Sequence, residues 1–149
     1  MPNASDIRAV YRIIDANINR AKEGLRVCEE IARFILENRK LTAGFKSMRH
    51  AVTAILKRLP AGVRGFVDRD SAGDIGRKIY ADELRRKDWQ DIFYANMQRA
   101  KESIRVLEEF VKLSDKTAAL KFKKIRYDLY GLEKDSVKLV SSCRGPKRK

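Results

Sequence analysis

Two asparagine–arginine pairs, Asn17 with Arg20 and Asn96 with Arg99, are the residues of this chain whose types and spacing could do chemistry. They lie in the phrase "ANINRAKEGLRVCEE" (16–30) and in its near-copy "ANMQRAKESIRVLEE" (95–109). A guanidinium suits two-point contact with a phosphate or carboxylate, and an amide beside it adds a donor and an acceptor. On a helical wheel advancing roughly 100° per residue, Ala21, Cys28, Ile31 and Ile35 fall within about 40° of Asn17. Asn17 therefore sits near the middle of an apolar arc, with Arg20 inside it. Asn96 and Arg99 repeat the pattern among Ile92, Phe93, Ala100, Leu107 and Phe110. A buried guanidinium is costly unless paired, so two readings stand. Each arginine is satisfied by a buried carboxylate or helix-end carbonyls, or the helices open there into a polar cavity aimed at an anionic ligand. In the second reading Gly24 and Ser103, one turn further on, leave room for it.

The flanking charges admit two readings as well. Arg26 can reach Glu30 at i,i+4 and Glu23 at i,i+3, as Arg105 can reach Glu109 and Glu102; this is ordinary helix-surface pairing. Their return in both copies also makes Glu23 and Glu102 reserve candidates for metal or base chemistry. The loop "FVDRDSAGDIGRK" sets Asp68, Asp70 and Asp74 among Arg69, Arg77 and Lys78. Magnesium bound to a nucleotide takes one or two carboxylates plus phosphate oxygens, and Gly73 and Gly76 would let backbone amides face a phosphate. The competing reading is a solvated loop of turn-forming Asp and Gly. No Walker A pattern G-x-x-x-x-G-K-[ST] is present. Lys46 and Arg49, echoed by Lys123 and Arg126, read as a solvated basic face, and His50 has no partner that would make it a general base.

Four helical segments must position these groups. The first runs from about Ser5 to Asn38, capped by Ser5 or Asp6. The second covers roughly Lys40 to Leu59, with Leu41, Phe45, Met48, Val52, Ile55 and Leu59 on one stripe; Pro60 and Gly62 end it. The third begins at Asp82 or Asp88 and reaches Ser114. The fourth runs from Asp115 to about Val140, with Phe122, Ile125, Leu129 and Leu132 on its stripe. The intervening segment, residues 61–82, holds four of the eight glycines and has no helical period.

Ten of twenty positions are identical between residues 16–35 and 95–114, and "FKSMRH" (45–50) is answered by "FKKIRY" (122–127). The sequence thus predicts an all-α fold: a pseudo-two-fold four-helix bundle, made by internal duplication of a helix pair, with a long Gly/Asp-rich loop between the halves. The expected organisation is a single helical domain over 1–140, with halves about 5–59 and 82–140, and a basic flexible tail over 141–149.

A net charge of +14, from 34 Lys/Arg against 20 Asp/Glu, draws anions of any kind: nucleic acid, acidic membrane or phosphorylated small molecules. No apolar run approaches the roughly 20 residues that span a bilayer, and the first residues lack the apolar core of a signal peptide, so the expectation is a cytoplasmic protein with no membrane partner. Cys28 reads as a small buried hydrophobe, Cys143 lies in the polar tail, and one histidine leaves no His/Cys zinc cluster.

The blocks "DANINRAKEGLRVCEEIARF", "DRDSAGDIG" and "ANMQRAKESIRVLEE", in that order between about Tyr11 and Lys134, resemble the helical hydroxymethylpyrimidine-phosphate kinases found as the N-terminal domain of some bacterial thiamine-phosphate synthases. The resemblance implies transfer of the γ-phosphoryl group of ATP to 4-amino-5-hydroxymethyl-2-methylpyrimidine phosphate, giving the diphosphate used in thiamine biosynthesis. It implies ATP and Mg²⁺ as cofactors, and the phosphorylated pyrimidine and a thiamine-phosphate synthase as partners. It does not assign residue roles. From the chemistry of phosphoryl transfer, Asn17, Arg20, Asn96 and Arg99 are expected on substrate and nucleotide phosphates. Asp70 and Asp74 are expected on the metal, and Arg69, with Glu23 and Glu102 in reserve, as catalytic groups. The alternative is a non-catalytic basic helical module that binds nucleic acid or docks to the synthase; the absence of a recognised nucleic-acid motif argues against the nucleic-acid branch.

Overall fold

Each run of three-four apolar spacing becomes a helix, and an Asn or Asp side chain opens every long one. The computed structural model describes residues 3–64, 72–77 and 84–143. It comprises α1 (Ala4–Phe34), α2 (Arg39–Leu56), a short α3 (Ala61–Arg64), α4 (Trp89–Val111) and α5 (Lys116–Ser142), with no strand among the described residues. The all-α expectation holds. Asn3 accepts from the Asp6 N–H, Asn38 from Leu41, Asp88 from Asp91 and Asp115 from Ala118. Each bond satisfies an N–H that the first helical turn leaves without a partner.

The boundaries depart from expectation where caps and turns compete with apolar spacing. Asn3, not Ser5 or Asp6, caps α1, because Asp6 already lies in the first turn and supplies the capped N–H. The helix stops at Phe34, short of Asn38, since Asn38 is spent as the cap of α2 and Glu37 before it takes a left-handed φ of 49°. α2 ends at Leu56, before Leu59, while α5 runs past Val140 to Ser142. The segment after Pro60 is not wholly irregular: it starts with α3, whose Val63 is buried in the core. Asp68, Arg69 and Asp70, the alternative helix start at Asp82, and the tail beyond Cys143 lie outside the described residues.

α1 packs on α2 and α4, α4 on α5, and α2 against α5, so the four long helices form a closed ring around one core. Its largest enclosed side chains include Phe45, Phe93 and Phe122, one from each of α2, α4 and α5. Phe45 meets Phe93 edge to face at 6.2 Å between centroids, a favoured aromatic geometry. Burial of each such ring contributes about 1.5–3 kcal/mol. The predicted stripes are the buried ones: Leu41, Phe45, Val52, Ile55 and Leu59 from the second segment, Phe122, Ile125 and Leu129 from the fourth. Met48 and Leu132 are partly buried at the stripe edges.

At Gly24, α1 meets the backbone of α4. A Cβ on Gly24 would stand 2.8 Å from the carbonyl oxygen of Asn96 and 3.4 Å from Ala100 Cβ. One turn further along α1, the Cys28 thiol reaches the Phe93 carbonyl at 3.8 Å. Rising numbers on α1 thus meet falling numbers on α4, so the two helices are antiparallel. Gly24 therefore does not leave room for a ligand, as its small size suggested; the backbone of α4 fills that space. Ser103 is also enclosed, its hydroxyl donating to the Arg99 carbonyl at 2.7 Å.

A buried arginine–glutamate pair ties the helices within each hairpin. Arg49 on α2 donates from Nε and Nη2 to both oxygens of Glu29 on α1, at 2.9 and 3.3 Å. Arg126 on α5 makes the same two bonds to Glu108 on α4, at 2.7 and 3.4 Å. Both glutamates are buried. This corrects the solvated reading of Arg49 and Arg126: each is drawn into the helix–helix seam, because a buried carboxylate needs a partner. Lys46 and Lys123 do face solvent. Arg26 and Arg105 add a second guanidinium to each glutamate, at 3.6 and 3.3 Å, and reach Glu30 and Glu109 at i,i+4, both at 3.1 Å. The i,i+4 pairing is the one anticipated; the partner three residues away is Glu29 or Glu108, after the arginine, where Glu23 or Glu102, three residues before it, was anticipated. Burial pushes the Glu108 carboxyl up, but bonds and charge from Arg126, with Arg105 behind, outweigh it and hold the group below its ordinary value.

Gly24→Ala is expected to lower stability by about 1–3 kcal/mol, because α1 and α4 must separate to admit the methyl group. Gly131→Ala, where nothing lies within 4 Å, should instead raise it by up to about 1 kcal/mol through helix propensity; thermal denaturation of the two variants checks both signs. A carboxyl whose folded pKa is depressed stabilises the fold above the unfolded carboxylate range, and that contribution is lost as pH falls through the folded value. Glu108→Gln should therefore cost about 2 kcal/mol at pH 7, and urea denaturation between pH 7 and 3 should show the gap to the parent closing at the acid end.

Candidate functional site

The polar residues of the repeated phrase fall on α1 and α4, the antiparallel pair that meets at Gly24. Asn17 is only 5% exposed, as its place in the apolar arc predicts. Its Nδ2 donates to the Ile13 carbonyl one turn back at 2.9 Å, and Asn96 does the same to Ile92 at 2.8 Å. These bonds fix which end of each amide is which, since a carbonyl accepts only from the NH₂ group. Asn96 is half-buried.

Arg20 and Arg99 are not inside the apolar arc: both are exposed. Each lies near the edge of its stripe, and no helix of the ring covers that edge. The arginines therefore need no buried counter-charge. The antiparallel register still brings their starting points together. With Gly24 against Asn96 and Ala100, the two arginines leave α1 and α4 at levels about one turn apart, roughly 5 Å along the axis. Asn17 and Asn96 fall on either side of them, about 13 Å apart by the same rise. Glu23 and Glu102 are exposed on the same stretch, Glu102 accepting from Gln98 at 2.9 Å.

Of the loop carboxylates, Asp74 is described. Its Oδ1 accepts the Gly76 N–H at 2.8 Å, while its carbonyl takes the Arg77 N–H at 3.1 Å. That is the turn-forming geometry, in an exposed residue. A single exposed carboxylate suits magnesium, which keeps much of its water and takes its remaining ligands from phosphate. Among the described residues no three His, Cys, Asp or Glu side chains gather as a metal cluster.

Cys28 has no part in such chemistry. It is enclosed, and burial, aided by the negative charge of Glu133, pushes its thiol up to about 12, so it packs as the small hydrophobe that its position suggests. A separate groove of about 370 Å³ opens between α2 and α5, floored by Met48, Ala51, Ile55 and Ile125 and rimmed by Arg58, Lys121 and Lys124. None of the repeated Asn or Arg residues lines it. Reasoning from the sequence missed the buried pairs Glu29–Arg49 and Glu108–Arg126. The signal was present in the repetition of "EE" and of "F-K-x-x-R" on successive helices.

No helix of the described residues is long and apolar enough to cross a membrane. No solved structure matches the chain. Among known proteins it is similar to thiamine-phosphate synthases. It is 42% identical to that of Synechocystis sp. over 126 residues, which cover 84% of this chain and 35% of that protein. Those of Rhodopirellula baltica, 40% identical over 131 residues, and Nostoc punctiforme, 39% over 127, are covered to 34% and 35% of their length. The chain thus spans about a third of the relatives it matches. The match of the ThiD2 family runs over residues 12–135, taking in all four long helices and the repeated phrase on α1 and α4, and the chain belongs to that family.

Proposed function

We propose that this chain is a hydroxymethylpyrimidine-phosphate kinase acting in thiamine biosynthesis. Membership of the ThiD2 family over nearly the whole helical ring carries this reading. The reaction moves the γ-phosphoryl group of ATP onto a phosphate oxygen of the acceptor: the bond from γ-phosphorus to the bridging oxygen of ADP breaks, and a new P–O bond forms. Such a transfer asks for positioning and for neutralised charge, with no covalent intermediate on the protein. Arg20 and Arg99, on neighbouring turns of the α1–α4 seam, would hold phosphates of the two substrates from opposite helices. Their exposure leaves them open to ligands that arrive from solvent, and two guanidinium groups about one turn apart suit the crowded charge of an ATP and a phosphomonoester meeting end to end. Asn17 and Asn96 would contact the substrates on either side. Asp74 and Asp70 would hold Mg²⁺, which when bound supplies charge neutralisation between the nucleotide phosphates. Arg69 would offset charge on the migrating group, with Glu23 and Glu102 available to accept a proton or assist the metal.

A docking role stands as the second reading, because the proteins the chain matches are thiamine-phosphate synthases, of which the match covers about a third. The two part on one assay. With ATP, Mg²⁺ and the pyrimidine phosphate, a kinase releases ADP in step with acceptor consumed, whereas a docking module releases none. In the kinase reading Arg20→Ala and Arg99→Ala should each lower kcat/KM by about tenfold or more while leaving the melting temperature within about a degree or two, since both side chains are exposed. Unchanged kinetics in both variants would remove the arginines from the site.

A further inference from the structure

Asn17 is held in an unusual state for a polar residue in a helix interior. Its side chain is almost wholly enclosed, and one N–H of Nδ2 is committed to the Ile13 carbonyl. Its Oδ1 accepts no hydrogen bond from the described residues. Yet every fully enclosed side-chain nitrogen or oxygen among those residues has a partner. Oδ1 is therefore the part of Asn17 that meets solvent: a carbonyl oxygen set in an apolar surround, with the second Nδ2 hydrogen beside it. Ile14, Ile18 and Ala21, at most 2% exposed, flank it on α1. Such an acceptor is poorly hydrated and repels phosphate oxygens, which are themselves acceptors. The polarity is wrong for the phosphate contact expected of this residue and right for a donor.

We infer that Asn17 reads the edge of a 4-aminopyrimidine ring, its Oδ1 accepting from the exocyclic amine and its free Nδ2 hydrogen donating to the adjacent ring nitrogen. The same donor–acceptor pair lets an asparagine recognise adenine. This inference rests on the kinase reading for its ligands, and it divides the repeated residues by task. The exposed arginines take phosphate, and the enclosed amide takes the base. Asn96, half-buried with the same back-bond, keeps its amide in contact with water and discriminates less. The aminopyrimidine edge occurs both in the acceptor and in the adenine of ATP, so the chemistry is shared and two sources must be separated.

The test uses Asn17→Ser. Serine keeps the bond to the preceding turn, as Ser103 does to Arg99 and Ser136 to Leu132, at 2.7 and 2.6 Å, but it cannot reach the ring. Calorimetric binding to the intact chain compares the pyrimidine phosphate with its 4-deamino analogue, and ATP with the triphosphate of purine riboside, which lacks the 6-amino group. The parent should prefer the amino form of one pair by about tenfold, and in Asn17→Ser that preference should fall to within about twofold. Asn96→Ser should retain it, whatever happens to overall affinity. Collapse of the preference in the first pair assigns the acceptor to Asn17, and collapse in the second assigns the nucleotide. A parent with no preference in either pair, or a preference undiminished in Asn17→Ser, overturns the inference. Each ratio is taken on one protein sample, so a loss of folded fraction cannot imitate the result. Since binding is read without turnover, an absence of ADP release would count against the kinase reading while leaving the base assignment standing.

Discussion

The missing side chain at Gly24 sets how closely α1 and α4 approach, and the rest of the ring follows from that distance. The Asn96 carbonyl occupies the space where a Cβ would be, 2.8 Å from its ideal position. Small residues at such a crossing let two backbones approach until their flanking side chains interlock. Here Ala100 continues the contact, and both it and Ala21 are fully enclosed. The close seam brings the edges of the two apolar stripes together at the surface. The polar residues on those edges, which a wider crossing would separate, leave from adjoining turns.

The hairpins are fastened differently. Burying Glu29 and Glu108 costs desolvation that two arginine bonds apiece must offset, so these pairs contribute less net stability than the aromatic core. Their effect is on register. A two-point guanidinium–carboxylate contact has a narrow geometry, and sliding α2 along α1 by one turn would strand a carboxylate in the seam. The same constraint acts between α5 and α4. Core side chains such as Leu41 and Ile55 are interchangeable enough to tolerate a slip that the ion pairs do not.

Much of this was legible in the sequence, because helix formation and burial follow local spacing. The stripes from Leu41 to Leu59 and from Phe122 to Leu129 were readable one helix at a time. So was Asp115 as a start signal. What escaped depended on a second helix. On the wheel of α2 alone Arg49 is a polar residue on a polar flank, and nothing in that wheel shows Glu29 opposite. Arg20 was misplaced for the converse reason: wheel angles put it within the apolar arc but cannot say whether a neighbour covers that edge of it. Gly24 was seen to be small, yet its neighbour, the backbone of α4, became visible only with the register. The site is legible to a lesser degree, since exposed residues leave no mark in a burial pattern.

Eight of the ten identities shared by the two phrases can now be sorted by what packing requires. Ala21 and Ala100 make the seam, Val27 packs at the core edge, and Glu29 with Glu108 needs Arg49 with Arg126. Arg26 and Arg105, with Glu30 and Glu109, complete those charge clusters. Folding accounts for all of these. It does not account for Arg20, Glu23, Arg99 and Glu102, which are exposed and which a bundle would tolerate in many other forms, nor for an enclosed amide at Asn17 where Leu or Ala would pack at lower cost. Those unexplained residues are not scattered. They occupy two successive turns of each helix on either side of one antiparallel contact, and they combine cations, carboxylates and amides, the groups that phosphorylated heterocycles require. In the kinase proposed above, these polar residues, which repeat without a folding reason along the α1–α4 seam, are the ones left free for ligands.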